Sequence, residues 1–289
     1  MLTVGGATFQ IDFSQGQTDL SQDAIVRWIE RAATAVSVYY GKYPVSRERI
    51  LVVIVPDRSG VGGGTTWGGV GGFPAFTRIH VGQKTTQEDL DSDWMMTHEM
   101  VHTAFPSQED EHHWIEEGLA TYIEPIARVQ AGFLSPEKIW GDMVRDMPKG
   151  DPQEGDQGLD ETHTWGRTYW GGAQFCLLAD VTIRKETKNR YGLQNALRAN
   201  VDAGGTIDKD WPLTQVFSIG DQATGTHVLT DLYKQMSRTP KKVDLDQIWK
   251  ELGVESTAGG VRFNDAAPFA SIREAITKVP ETEKSPGMK

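Results

Sequence analysis

Trp94-Met95-Met96-Thr97-His98-Glu99-Met100-Val101-His102 is the stretch on which the reading of this chain turns. His98 and His102 are spaced so that, on a helix, their imidazoles stand one turn apart, about 40° from each other around the axis. Both can then reach one metal ion. Glu99 follows the first histidine, which sets its carboxylate beside that ion, where it can take a proton from a metal-bound water. Trp94, His98, Val101, His102 and Phe105 fall on neighbouring turns, so one stripe is expected to carry core contacts and ligands together.

On either side the chain supplies what such a helix needs. Thr85-Thr86-Gln87-Glu88 offers a capping box before it, and Pro106 follows its end. A second helix is expected from near Asp110, holding Trp114-Ile115-Glu116-Glu117-Gly118-Leu119-Ala120-Thr121-Tyr122, with Pro125 ending or kinking it. Trp114, Glu117 and Thr121 share a face. A carboxylate from this segment would be a third ligand, and two histidines with one carboxylate leave a fourth metal position open for water. His112 and His113 are adjacent, so they face apart and read as solvated.

Upstream, Leu2-Thr3-Val4 and Ala7 to Phe13 alternate apolar and polar around Gly5-Gly6 and predict a hairpin or two short strands. Ser21 to Tyr40 has helical periodicity and stops at Gly41, so it is expected to cover one face of a sheet. Ile50 to Val55 is a continuous apolar run closed by Pro56, as in a buried central strand, and Thr77 to Val81 reads as an edge strand. Between them, Gly60 to Phe73 is too glycine-rich to predict a regular element. It reads as a mobile surface loop, or as the wall of a substrate cleft that a peptide backbone could approach closely.

Beyond the second helix, Pro148 to Glu161 combines Pro148, Gly150, Pro152, Gly155 and Gly158 with five acidic residues and predicts an exposed loop between subdomains. Gly171 to Lys188 reads as a mostly buried helix with a structural Asp180–Arg184 pair. Helices are also expected over Leu193 to Asn200, Thr226 to Met236 and Leu245 to Leu252, and after Asp265 with Pro268 in the first turn. Pro280 to Lys289 has no apolar content to bury and is expected to fray.

The chain has 289 residues, long enough for a core of its own. Its 40 acidic against 29 basic residues give a net charge of −11, which argues against nucleic acid or an anionic membrane as partner and fits peptides or small cations. Cys176 is the single cysteine, so neither an intrachain disulfide nor a cysteine metal cluster is available. No apolar run is long enough to span a membrane, and Met1 to Asp12 lacks the features of a signal peptide; a chain trimmed of its signal would read the same, so the compartment stays open. The oligomeric state is equally open.

The order His98, Glu99, His102, then Trp114-x-x-Glu117-Gly118-x-Ala120-x-Tyr122, resembles the gluzincin metallopeptidases, the thermolysin-like clan that includes the aminopeptidase N family. In those families the glutamate before the glycine is the third ligand, which implies Glu117, with Glu116 as the alternative. The metzincin pattern needs glycine and histidine where Phe105 and Gln108 stand. Gly166-Arg167-Thr168-Tyr169-Trp170-Gly171-Gly172 with the following helix is similar to the catalytic-tyrosine segment of the glycyl-aminopeptidase family. Thr224-Gly225-Thr226 and Ala267 to Arg273 look like that family too. The resemblance is patchy and extends to residue 278.

What it implies is an α+β, thermolysin-like fold: a small mixed β-sheet with helices carrying the zinc-binding residues, over residues 1–135, and a mainly helical C-terminal subdomain, over 136–289, together forming one catalytic unit. It also implies one Zn2+ per chain and a peptide or protein substrate. Glu99 would be general base to the zinc-activated water, and Tyr169 would donate to the developing oxyanion. His163 and Arg167 would bind substrate or a transition-state oxygen, or else stand as surface or ion-paired residues. The string Gly-x-Met-Glu-Asn, with which the aminopeptidase N family recognises a substrate amine, is absent, so exo- and endopeptidase action both stay open. The rival readings are a scaffold that has lost turnover and a zinc hydrolase of non-peptide substrates.

Overall fold

The computed structural model describes residues 1–278. The expectation for Pro280 to Lys289 lies outside the described residues. Strands β1 (Leu2–Val4) and β2 (Ala7–Phe13) form the expected hairpin, turning at Gly5 and Gly6, both with positive φ. Then come α1 (Gln22–Tyr40), β3 (Arg47–Val55), β4 (Val61–Gly68) and β5 (Ala75–Gly82). The strand order is β1-β2-β3-β5-β4, with β2, β3 and β5 parallel and β1 and β4 antiparallel to their neighbours.

Ser21 caps α1, and Gly41, left-handed at φ 80°, ends it. Ile25, Ile29, Ala32 and Val36 of this helix belong to the same core as Ile50, Val52 and Ile54 of β3. The continuous apolar run of β3 does occupy the sheet centre, but its residues alternate between buried and half-buried, so the second face is only partly covered. Two strand expectations are corrected. The glycine-rich segment contains a strand, β4, which takes the sheet edge, and β5 is an interior strand between β3 and β4. Glycine is needed there for close approach: a Cβ on Gly64 would lie 2.5 Å from Glu99 Cγ, and one on Gly68 would lie 2.1 Å from the Ile207 carbonyl oxygen.

The segment before the histidines is also corrected. Thr86 forms its capping box with Asp89, and the helix it starts is a separate short one, α2 (Gln87–Ser92). The chain breaks at Asp93 and restarts as α3 (Met95–His102). Asp93 accepts the Met96 N–H at 3.0 Å and the Trp28 indole N–H at 3.1 Å, which tethers the start of α3 to α1. Trp94 sits at this break and is 48% exposed, so it is not a core residue.

Helix α4 (His113–Gln130) continues through Pro125. The remaining helices are α5 (Pro136–Asp146), a π-helical turn (Gly166–Gly171), α6 (Gly172–Glu186), α7 (Leu193–Asp202), α8 (Leu213–Thr224), α9 (Val228–Met236), α10 (Leu245–Leu252) and α11 (Ala270–Thr277). Helices α5 and α8, and the hairpin β6 (Val254–Thr257) with β7 (Gly260–Phe263), were not expected. Pro268 precedes α11 instead of lying in its first turn. In the expected exposed loop, Gly158, Leu159 and Asp160 are buried, with Leu159 and Asp160 bonded through their N–H groups to Met236 and Ser237 carbonyls. Asp180 and Arg184 form the expected structural pair at 2.8 Å; Asp180 also accepts from Tyr122 and the Leu193 N–H. One hydrophobic core runs from Phe9 and Ile50 through Met100 and Trp114 to Phe175 and Phe217. No helix among the described residues is long and apolar enough to cross a membrane.

Candidate metal centre

The face of α3 that carries His98 and His102 meets the face of α4 that carries Glu117. Glu117 Oε2 lies 3.0 Å from His98 Nε2 and 3.7 Å from His102 Nε2. One ligand atom from each of the three residues falls within 4.8 Å of the others. Burial brings His102 down to about 4, so its imidazole is neutral near pH 7. Burial acts to raise Glu117, but the His98 hydrogen bond and the surrounding imidazoles hold it down at about 2. A neutral imidazole and an ionised carboxylate are the protonation states that coordinate a metal, and this donor set fits a divalent ion that takes nitrogen and oxygen ligands.

Glu116 points elsewhere. Its carboxylate accepts from the Gln108 N–H and pairs with His113 Nδ1 at 3.3 Å. Of the two adjacent glutamates, the structure brings Glu117 to the histidines.

Glu99 lies on α3 against strand β4. Burial raises its carboxyl, partly offset by the neighbouring His98 and by a hydrogen bond from Thr66. Thr66 Oγ1 donates to Glu99 Oε2 at 2.8 Å. Gly64 leaves the space into which the Glu99 side chain fits.

Tyr169 reaches the same place from the π-helical turn, the sort of single-turn π segment often found at functional sites. Its ring stacks on His98 at 6.2 Å and on Trp165 at 5.8 Å. Glu117 and Glu99 are the charged groups that act on its hydroxyl. Burial, followed by the Glu117 charge, pushes the phenol up to about 12, so it stays a proton donor. The glycine after Glu117 explains how this turn comes so near. A Cβ on Gly118 would sit 2.4 Å from Gly172 Cα, so α4 and α6 touch backbone to backbone directly beside Glu117 and just after Tyr169.

The two other residues singled out in the sequence are not brought to the cluster. Arg167 is buried; its Nε pairs with Asp156 at 2.7 Å and its Nη1 donates to the Gly150 carbonyl at 2.6 Å. His163 is exposed on the segment before the π-helical turn.

The expectation that His112 and His113 are solvated holds for His113, which nevertheless also stands beside Glu117, and not for His112. His113 is half-exposed, with Nε2 3.4 Å from Glu117 Oε1, and its pairing with Glu116 raises its pKa. The i,i+4 spacing of His113 and Glu117 was the available signal. His112 is half-buried, with its Nε2 3.0 Å from the Tyr233 hydroxyl. Thr66 could not have been found from its glycine-rich surroundings. Trp94 leans edge-on over the His98 ring at 5.3 Å.

No family model matches the sequence, and no curated protein matches it either. Solved structures do. An aminopeptidase N family protein from Idiomarina loihiensis superposes with a TM-score of 0.63 at 13% identity, covering 90% of this chain and 51% of that one. The M1 zinc metallopeptidase from Deinococcus radiodurans gives 0.51 at 15% identity, over 83% of this chain and 49% of that one. A mutant of the Deinococcus radiodurans enzyme bound to a Tyr-Ser-Ala substrate gives 0.51 at 14%, over 84% and 51%. The chain therefore has the α+β, thermolysin-like fold of these peptidase structures, and it spans about half the length of the solved structures it matches.

Proposed function

We propose that this chain is a zinc-dependent peptidase of the gluzincin type, holding one zinc ion on His98, His102 and Glu117. The observation that carries the reading is the convergence of these three side chains beside a buried carboxylate, Glu99, that is hydrogen-bonded by Thr66 and free of the ligand cluster. Structural likeness to M1 zinc metallopeptidases supports the same chemistry. Bound zinc would supply Lewis-acid polarisation of the scissile carbonyl and a water that ionises near neutral pH.

The chain's own residues do the rest. Glu99 takes the proton of the attacking water and passes it to the leaving amine; its raised pKa suits a group that must both accept and release a proton. Tyr169, protonated at working pH, donates its hydroxyl to the carbonyl oxygen as charge develops there. Strand β4 has no strand partner on its outer side among the described residues, so an extended peptide can add to it as a further strand, and its glycines permit close contact. We carry the division into a sheet-bearing subdomain (1–135) and a helical one (136–289) as part of this proposal, since Tyr169 comes from the second and the three ligands from the first. His163 is exposed and would meet only a substrate that extends beyond the cluster, whereas Arg167 stabilises the loop beneath the π-helical turn through Asp156.

The test is cleavage of a mixed peptide library by the zinc-loaded protein, read by mass spectrometry. Glu99→Gln is expected to bind zinc as the wild type does and to lose turnover. Full activity in that variant would refute the mechanism. Trimming from free N-termini identifies an aminopeptidase, and internal cuts identify an endopeptidase.

A further inference from the structure

Behind Glu99 the sheet holds a second carboxyl that the mechanism above does not use. Thr66 on β4 stands directly opposite Thr77 on β5, and their hydroxyl oxygens are 2.9 Å apart. Thr77 Oγ1 is 2.6 Å from Glu48 Oε1 on β3. The other Glu48 oxygen accepts the Tyr43 hydroxyl. Glu48 and Thr77 are both completely buried. An unbroken chain of polar atoms thus runs Glu99, Thr66, Thr77, Glu48 across three strands.

The number of protons on this chain of polar atoms sets the direction of its hydrogen bonds. It has three links and only two hydroxyl hydrogens. If both carboxyls were ionised, each threonine would donate outwards to its own carboxylate. The Thr66–Thr77 contact would then set lone pairs against lone pairs at 2.9 Å, in a buried place where an unmade hydrogen bond is costly. One further proton, on one of the two carboxyls, makes all three links hydrogen bonds pointing the same way. Glu48 is the better holder. Burial raises it to about 7 despite the bonds from Thr77 and Tyr43, the Glu99 charge pushes it the same way, and no cation is among the groups that act on it. Glu99 keeps some exposure, 7% against 0% for Glu48, and in this arrangement it still accepts from Thr66.

We propose that Glu48 is held as a neutral acid that donates to Thr77, which donates to Thr66, which donates to the Glu99 carboxylate. Glu48 is therefore a positioning residue: it fixes the direction of the last hydrogen bond and so the orientation of Glu99. The consequence for turnover rests on the reading of Glu99 as the general base; the proton on Glu48 does not.

The experiment has two arms. The first uses infrared spectra of the metal-free protein near pH 6. The wild type minus Glu48→Gln difference is expected to show a carboxylic-acid C=O band. Thr77→Val is expected to shift that band, and Thr77→Ser to return it. A carboxylate band in the difference, or a band unmoved by Thr77→Val, overturns the proposal. The second arm measures turnover of a peptide taken from the library, at equal zinc content. Thr77→Val is expected to lower kcat about ten-fold with KM unchanged, as loss of orientation does without loss of binding. Thr77→Ser restores kcat, and Glu48→Gln, whose amide can still donate to Thr77 and accept from Tyr43, keeps it within about three-fold. Thr77→Val and Thr77→Ser losing kcat equally would overturn it. A wild type that binds zinc but cuts no peptide refutes the peptidase reading alone, and the infrared arm still decides Glu48.

Discussion

Gly64→Ala tests whether strand β4 shapes the site through the absence of a side chain. The added methyl would stand 2.5 Å from Glu99 Cγ and 2.7 Å from Glu99 Oε1, whereas carbon atoms pack at about 3.5–4.0 Å. About 1 Å of movement is required. The β4 backbone is pinned by its ladder to β5, with Gly64 opposite Ile79, so the Glu99 side chain is what yields. Its rotation stretches the 2.8 Å bond from Thr66, a hydrogen bond to a charged group, worth roughly 1.5–3 kcal/mol. Overpacking of this kind costs about 1–3 kcal/mol in a well-packed interior.

Two measurements follow from those magnitudes. For a chain of this size, each kcal/mol lowers Tm by about 3 °C, so a fall of about 3–9 °C is expected. A base displaced by about 1 Å should cost on the order of 100-fold in kcat against a peptide substrate. Zinc content should stay at one per chain, because the hydrogen bonds of Thr66 run to Thr77 and Glu99 and the atoms nearest a Gly64 Cβ all belong to Glu99. If Gly64→Ala keeps kcat within about two-fold of wild type while folded and metal-loaded, the close approach of β4 does not position Glu99 and the argument fails.

Glu117→Gln is expected to release zinc under dialysis and Glu116→Gln to retain it, as metal analysis of both proteins would read; the reverse would exchange their roles. Tyr169→Phe removes a single oxyanion donor, so kcat should fall about 10²–10³-fold with KM little changed; a rise in KM alone would make Tyr169 a binding residue. Glu48, whose folded pKa of about 7 stands above its unfolded value of 4.5, adds stability that is fully present below about 4.5 and is lost as pH rises through 7. The groups acting on it are Thr77, Tyr43 and Glu99. Glu48→Gln removes that loss, so its Tm relative to wild type should climb between about pH 4.5 and 7 and then level off; a constant difference over that range would mean that Glu48 does not titrate there.

How far the sequence could be read depends on whether the deciding contacts are local. His98 and His102 are neighbours on one helical turn, so their spacing alone states their common direction. Glu117 follows on the next long helix. Thr66 and Gly64 give no such sign. Their strand is defined by hydrogen bonds to β5 and by the pressure of Glu99 from a helix far along the chain, and glycine, lacking a side chain, carries no periodicity. Glu48 is hidden in a different way. Within Arg47-Glu48-Arg49 it reads as one charge in a solvated run, and Arg47 is indeed exposed. Yet the alternation that buries Ile50, Val52 and Ile54 puts Glu48 on the same inward face, two residues earlier. Extending that period backwards would have placed an unpaired carboxylate inside the sheet, where it needs either a cation or a proton. The pattern therefore held the question of what Glu48 does; the answer waited on Thr77 and Thr66, which only the pairing of β3, β5 and β4 brings into line with Glu99.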